Sequence, residues 1–218
     1  MTILDVPTSL GPARWTINAA KAPTLSPLLG HGAGGHIESV DLVALASALP
    51  SKGVTVARYE QPWRVAGKKI GPAPAALDTG WREGVRALTS HLPRVPMAFG
   101  GRSAGARVAC RTALELDAVA VLALAFPLHA PGRPGKSREA ELVGVGVPAM
   151  VVQGDKDPFG TASEVYDAVQ GSARIWVTTI AGAGHDLSVP KRAVPNTDAV
   201  WRGVARDVAD YLLDIVSA

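Results

Sequence analysis

The 218 residues are 47% hydrophobic and 19% charged, a balance that suits one compact domain over residues 1–218 and excludes a largely disordered chain. The formal charge of +3 arises from 22 Lys and Arg scattered among 19 acids, which excludes the clustered basic track of a nucleic-acid binder. A single cysteine, Cys110, rules out an intrachain disulfide. The first residues lack a basic start followed by an apolar run, and no apolar stretch reaches the roughly 20 residues that span a bilayer. A cytoplasmic protein without membrane or nucleic-acid partners is expected, and its oligomeric state is left open.

In chain order, residues 4–6 and 14–18 read as short edge strands around the turn SLGP. Beyond them, apolar runs of strand length alternate with segments of helical spacing, the pattern of βαβ units in a parallel sheet. Strands are expected over 24–29, 54–59, 95–99, 119–125, 148–153 and 173–180. Helices are expected over 37–49, 75–91, 104–116, 161–169 and 198–216. The helix from 104 sets Ala106, Ala109, Cys110, Ala113 and Leu116 on one face, leaving Arg107, Arg111 and Glu115 toward solvent. Cys110 then reads as a small apolar filler.

The segment MAFGGRSAGARVAC holds the first chemical signal, Gly101-Arg102-Ser103-Ala104-Gly105. With 23 glycines and 12 serines in the chain, a G-x-S-x-G match arises by chance about 0.13 times, so the pattern alone is modest evidence. Its context is more specific, because MAF before it reads as a strand and ARVACRTALEL after it as a helix. A sharp strand-to-helix turn forces its central residue into a sparsely populated conformation, and side chains two positions away would meet the neighbouring elements. Ser103 would then stand at a helix N-terminus, where free N–H groups favour developing negative charge and Ala104 donates one oxyanion-hole N–H.

A second donor is expected from LLGHGAGGH, where an apolar strand runs into His31-Gly32-Ala33-Gly34-Gly35 before a helix. Ala33 is the preferred donor and Gly34 the alternative. A plain glycine-rich loop or a phosphate cradle competes, but neither GK[ST] nor GxGxxG accompanies it. A serine hydroxyl is a weak nucleophile until a base takes its proton, and the base needs an orienting acid. The strand PAMVVQ runs into GDKDPFG and the strand ARIWVTTI into AGAGHDL, so Asp155, Asp157 and His185 fall on loops that open on the same sheet edge as Ser103. Asp157 is preferred as the acid, with Asp155 free to bond backbone N–H groups in the turn. His31 shapes its own loop; His36 and His91 read as surface or helix-end residues.

Through GHGAGG, GGRSAGAR, FPLHAPGRP, QGDKDPFG and GAGHDL the chain resembles the small α/β-hydrolases akin to dienelactone hydrolase. It is most similar to the branch of bacterial predicted hydrolases, testis-expressed proteins and an NSL chromatin-complex subunit. The resemblance runs from about Pro23 to the C-terminus. It implies an α/β-hydrolase fold, a mostly parallel twisted sheet of seven or eight strands with helices on both faces and no large cap domain. It also implies Ser103 as nucleophile, Asp157 as acid and His185 as base, with Ala104 and the HGAGG loop binding the oxyanion, and neither metal nor organic cofactor.

Only about twenty residues separate the strands at 119–125 and 148–153, too few for a full cap. That loop and EQPWRVAGKKIGPAP supply Arg64, Lys68, Lys69, Arg133, Lys136 and Arg138, charges suited to an anionic substrate or acidic partner unless they are merely solvated. Trp63, Arg64 and His129 are the candidate substrate-binding residues. The expected function is hydrolysis of a small carboxylester, thioester or lactone through an acyl-enzyme; the alternative is a catalytically idle binding or scaffolding module on the same fold. Arg102 is expected to pair with an acid beside the turn that the sequence does not identify.

Overall fold

A computed structural model describes residues 1–34 and 36–217. Among them, eight strands form one sheet: β1 (Thr2–Val6), β2 (Ala13–Asn18), β3 (Ser26–Gly30), β4 (Val56–Glu60), β5 (Met97–Arg102), β6 (Ala120–Leu124), β7 (Ala149–Gly154) and β8 (Ile175–Ile180). Their spatial order is β1-β2-β4-β3-β5-β6-β7-β8. β2 runs antiparallel to both β1 and β4, and every pairing from β4 across to β8 is parallel. The helices are α1 (Val40–Ala48), α2 (Pro62–Val65), α3 (Pro74–Leu88), α4 (Ala104–Thr112), α5 (Glu139–Val143), α6 (Ala162–Val169) and α7 (Thr197–Ser217).

Because successive strand side chains point to opposite faces, the apolar runs split into two cores. Leu28, Phe99, Val121, Ala123 and Val151 meet Trp81 and Val85 of α3 and Val108 of α4 on one face. Leu29, Ala98, Leu122, Met150 and Val152 meet Leu42 of α1 and Trp201 and Val208 of α7 on the other. β3, β6 and β7 are buried along their whole length, which is why they read as continuous apolar runs. Each fully buried large side chain contributes about 1.5–3 kcal/mol of transfer free energy. The link between β6 and β7 carries only the five-residue α5, so there is no large cap domain.

The differences from expectation have local causes. β5 continues through Gly100 and Gly101 to Arg102, where glycines suggested an end, because neighbouring backbones come too close for side chains. A Cβ on Gly100 would lie 2.5 Å from the Leu122 carbonyl oxygen. The helix after Ser103 stops at Thr112 instead of running to 116, and the chain turns on to Asp117, which adopts φ 55°. α1 starts at Val40 rather than 37, since residues 37–39 form a turn whose Ile37 carbonyl accepts a hydrogen bond from the buried Arg58. α2 and α5 lie inside segments that read as loops. Arg107 and Arg111 do not simply face solvent. Both grip Glu141 of α5, and Arg111 also holds Asp78 of α3 at 2.6 and 2.9 Å, fastening three helices together. Cys110 is buried, and burial pushes its thiol up to about 12. No helix among the described residues is long and apolar enough to cross a membrane.

Candidate active site

The turn after β5 is built around one carbonyl. A Cβ on Gly101 would sit 2.3 Å from the Gly30 oxygen, and a Cβ on Gly105 only 2.4 Å from the same atom. Glycine at both positions lets β5 and α4 close onto the end of β3, and Gly101 also adopts φ 148°, a conformation that side chains rarely accept. Ser103 between them is held at φ 53°, ψ −109°, off the ordinary backbone regions, while its N–H still donates to the Leu124 carbonyl at 2.9 Å. Although Ser103 occupies the N-cap of α4, its hydroxyl makes no capping bond there. It faces His185 instead.

His185 Nε2 lies 2.9 Å from Ser103 Oγ, and His185 Nδ1 lies 2.8 Å from Asp157 Oδ2. The three side chains therefore form one hydrogen-bonded chain, drawn from the loops after β5, β7 and β8. Asp157 is buried, accepting at Oδ1 from the Phe159 N–H (2.8 Å) and at Oδ2 from Gln153 Nε2 (3.0 Å). Gln153 Nε2 also donates to the Gly160 carbonyl at 2.6 Å, which fixes the loop that carries the acid. The Phe159 ring stacks on the His185 imidazole, with centroids 4.2 Å apart and planes inclined by 30°.

Asp155 bonds a backbone N–H, as expected of it, but in another loop rather than in its own turn. Its Oδ1 accepts from the Gly182 N–H at 2.7 Å and clips the loop after β7 to the loop after β8. The clip is tight, because a Cβ on Gly154 would meet the Ala183 oxygen at 2.2 Å. The acid beside Arg102 is Asp41, fully buried in the first turn of α1, 3.6 Å from Arg102 Nε. Arg102 Nη2 also donates to the His185 carbonyl at 2.8 Å, so one side chain joins the serine turn, α1 and the histidine loop. Burial pushes the Asp41 carboxyl above the ordinary aspartate value, and the Arg102 charge partly offsets that.

On the opposite rim, Gly32 lies flush against the serine turn, where an added Cβ would come 3.5 Å from Ser103 Cβ. Ala33 and Ala104 line one small cavity, together with Trp63; Gly34 stands clear of neighbours and does not line it. His31 is buried, and burial lowers its pKa. Its Nδ1 lies 2.7 Å from the Gly32 carbonyl, and its Nε2 accepts from the Gln61 N–H at 3.2 Å, so the ring is a neutral brace for its loop. The His31 and Trp63 rings meet edge to face at 5.5 Å. Arg64 leans on His36 and reaches the Lys68 carbonyl at 3.4 Å. His129 is engaged by the Ala130 carbonyl (3.0 Å) and Glu164 (3.5 Å), and its N–H donates to the Phe159 carbonyl. Its bonds run to the loop beneath the imidazole. Arg138 is likewise tied to the Pro127 carbonyl at 2.7 Å.

An alpha/beta hydrolase domain family matches residues 24–213. The chain belongs to that family. Among solved structures, an alpha-beta serine hydrolase homologue from Coxiella burnetii shares 18% identity and a TM-score of 0.75, over 94% of this chain and 96% of its own. Est1E from Butyrivibrio proteoclasticus shares 17% identity and a TM-score of 0.76, with both chains fully covered. Dienelactone hydrolase from Anabaena variabilis shares 18% identity and a TM-score of 0.71, over 94% of each chain. At these identities the likeness is one of fold alone, the α/β-hydrolase fold without a large cap domain. Among the described residues, no group of three or more His, Cys, Asp or Glu side chains is arranged to hold a metal ion.

Sequence reasoning passed over Gly30, Asp41, Gln153 and Phe159. Gly30 was legible in the run LLGHGAGG, as a further glycine at a strand end. Asp41 and the Phe159 ring act through contacts between distant segments, and Gln153, only four residues before Asp157, belongs to no local pattern that announces its bond.

Proposed function

We propose that this chain is a single-domain serine hydrolase that cleaves a small-molecule ester-type bond, a carboxylester, thioester or lactone, through an acyl-enzyme on Ser103. One observation carries the reading: the hydroxyl, imidazole and carboxylate of Ser103, His185 and Asp157 are linked at 2.9 and 2.8 Å on a serine released from capping its own helix. With Nδ1–H given to Asp157, His185 presents a bare Nε2 to the serine hydroxyl. As Ser103 Oγ attacks the carbonyl carbon, Nε2 takes its proton, and the buried Asp157 carboxylate stabilises the imidazolium. The carbonyl oxygen becomes an oxyanion, held by the N–H groups of Ala104 at the start of α4 and of Ala33 in the loop after β3. Collapse expels the alcohol or thiol with the proton from His185, and water repeats the sequence to free the acid and restore Ser103.

The finer placement, in the dienelactone-hydrolase-like branch with the testis-expressed proteins, rests on GGRS and FPLH. A cytoplasmic setting fits the one buried thiol. No cofactor enters any step. An idle scaffolding module would have no need for a proton relay aligned at both ends, and this alignment favours the enzyme. Treating the protein with a fluorophosphonate and mapping the modified peptide tests the choice. Covalent labelling at Ser103, absent in Ser103→Ala, is the expected result; an unreactive serine would leave the scaffold reading.

A further inference from the structure

The proposed acyl-enzyme leaves open how large an acyl group Ser103 can carry. The cavity lined by Ala33 and Ala104, the two residues whose N–H groups would hold the carbonyl oxygen, has a volume of about 10 Å³. That is room for one water-sized group. Its other walls are the Gly30–Gly32 segment with His31, Gln61, and the apolar side chains of Leu77, Trp81, Val108 and Trp63. None of these apolar walls offers a charge to an acyl chain. On another side of the indole lies a surface pocket of about 150 Å³, lined by Pro62 and Ala76 and by the exposed Leu10, Ala66, Lys68 and Pro72. Trp63 and Gln61 border both spaces, so the indole is the partition between them.

The partition is well supported. Trp63 is buried, meets the His31 ring edge to face, and packs against Gly71 so closely that a Cβ there would touch its six-membered ring at 3.4 Å. His31 is itself pinned through both ring nitrogens, so the wall does not yield to modest pressure from a longer chain.

We infer that the protein is selective for acetyl-sized acyl groups, and that Trp63 sets this limit by walling off the small cavity beside the serine turn from the surface pocket beyond it. The methyl of an acetyl group fills the small space, while a longer chain has to displace a buried indole. This inference rests on the serine-hydrolase reading above.

The test is kcat/KM for p-nitrophenyl acetate, butyrate and hexanoate with wild type, Trp63→Leu, Trp63→Ala, and Trp63→Ala combined with Ala76→Phe to refill the surface pocket. Labelling of Ser103 by a fluorophosphonate is followed in each. Wild type is expected to favour acetate over hexanoate by on the order of 100-fold or more, since hexanoate carries four further methylenes and a single one without room is worth about 10–200-fold. Either Trp63 replacement should lower the ratio at least about tenfold, and the refilled variant should restore most of it. A wild type that takes hexanoate within about threefold of acetate overturns the inference, as does a folded Trp63→Leu that labels at Ser103 yet keeps the wild-type profile. Labelling with a flat profile removes this inference alone; no labelling and no hydrolysis removes the serine-hydrolase reading along with it.

Discussion

The two rims of the site are held in different ways. On the relay side, the loops after β7 and β8 are fastened backbone to side chain and backbone to backbone: Asp155 to the Gly182 N–H, the Lys156 N–H to the Ala183 carbonyl at 3.0 Å, and Arg102 to the His185 carbonyl. Asp157 is further fixed by Gln153 and Phe159. On the opposite rim, the 31–34 and 61–73 segments rest on His31 and Trp63, and Lys68 and Lys69 are exposed. The difference follows from what each side has to specify. On the proposed reading, proton transfer would depend on distances near 2.8 Å and on one tautomer, which the crosslinks around the groups that would carry it secure. Choosing an acyl group depends on volume, and a single large ring provides that.

The contrast is open to attack in steps of decreasing force. Ser103→Ala or His185→Ala should lower ester turnover by about 10³-fold or more, and Asp157→Asn nearly as much, whereas Asp155→Asn, which loosens a clip without touching the relay, should cost less than about tenfold. Steady-state kinetics on the four variants checks the ranking. Gly101→Ala combines a forbidden φ with a Cβ 2.3 Å from a backbone oxygen, and urea unfolding should show a loss of about 3–5 kcal/mol or no folded protein.

Arg102→Leu leaves Asp41 buried without a counter-charge, for an expected loss of about 3 kcal/mol at neutral pH. The sign with pH is defined. Asp41 already has a raised carboxyl, and removing the cation raises it further, so the folded state holds a proton that the unfolded state releases. The loss should therefore be small at pH values below the raised one that Asp41 already has in the wild type, grow as pH rises from there toward the still higher value of the variant, and shrink when Asp41→Asn is added. Unfolding curves from about pH 4 to pH 8 follow it. Arg64→Gln, on the rim opposite the relay, should change kcat/KM for a neutral ester by less than about threefold, and for an anionic ester by more if the basic loops recruit substrate. A salt titration of the two rates separates the cases.

Much of this arrangement was readable from residue order. The six central strands, the glycine pair around Ser103 and the late Asp and His loops all follow from apolar runs that end in glycine, because a parallel sheet buries its strands on both faces and opens its loops on one edge. Preferring Asp157 over Asp155 rested on a loop offset, and the geometry gives the two carboxylates those separate partners. What escaped was whatever depends on contact between distant segments. Arg102 could not be assigned to Asp41, 61 positions earlier and invisible as a buried charge. Arg107 and Arg111 lie on the polar stripe of α4 and look solvated until α3 and α5 bring acids to them. Gln153 sits in an apolar strand as an ordinary interruption, and only the fold shows it bonded to Asp157. Helices as short as α2 and α5 have too few turns to show a period.

The central claim is that Ser103 becomes covalently acylated with His185 as its base. Acid quenching of the protein during turnover of p-nitrophenyl acetate, followed by mass spectrometry of the peptide spanning residue 103, tests it directly. An acetyl group on Ser103 in wild type, lost in Ser103→Ala together with turnover and sharply reduced in His185→Ala, is the predicted result. Undiminished hydrolysis by Ser103→Ala, with no acetyl group found on that peptide in wild type, would contradict the account.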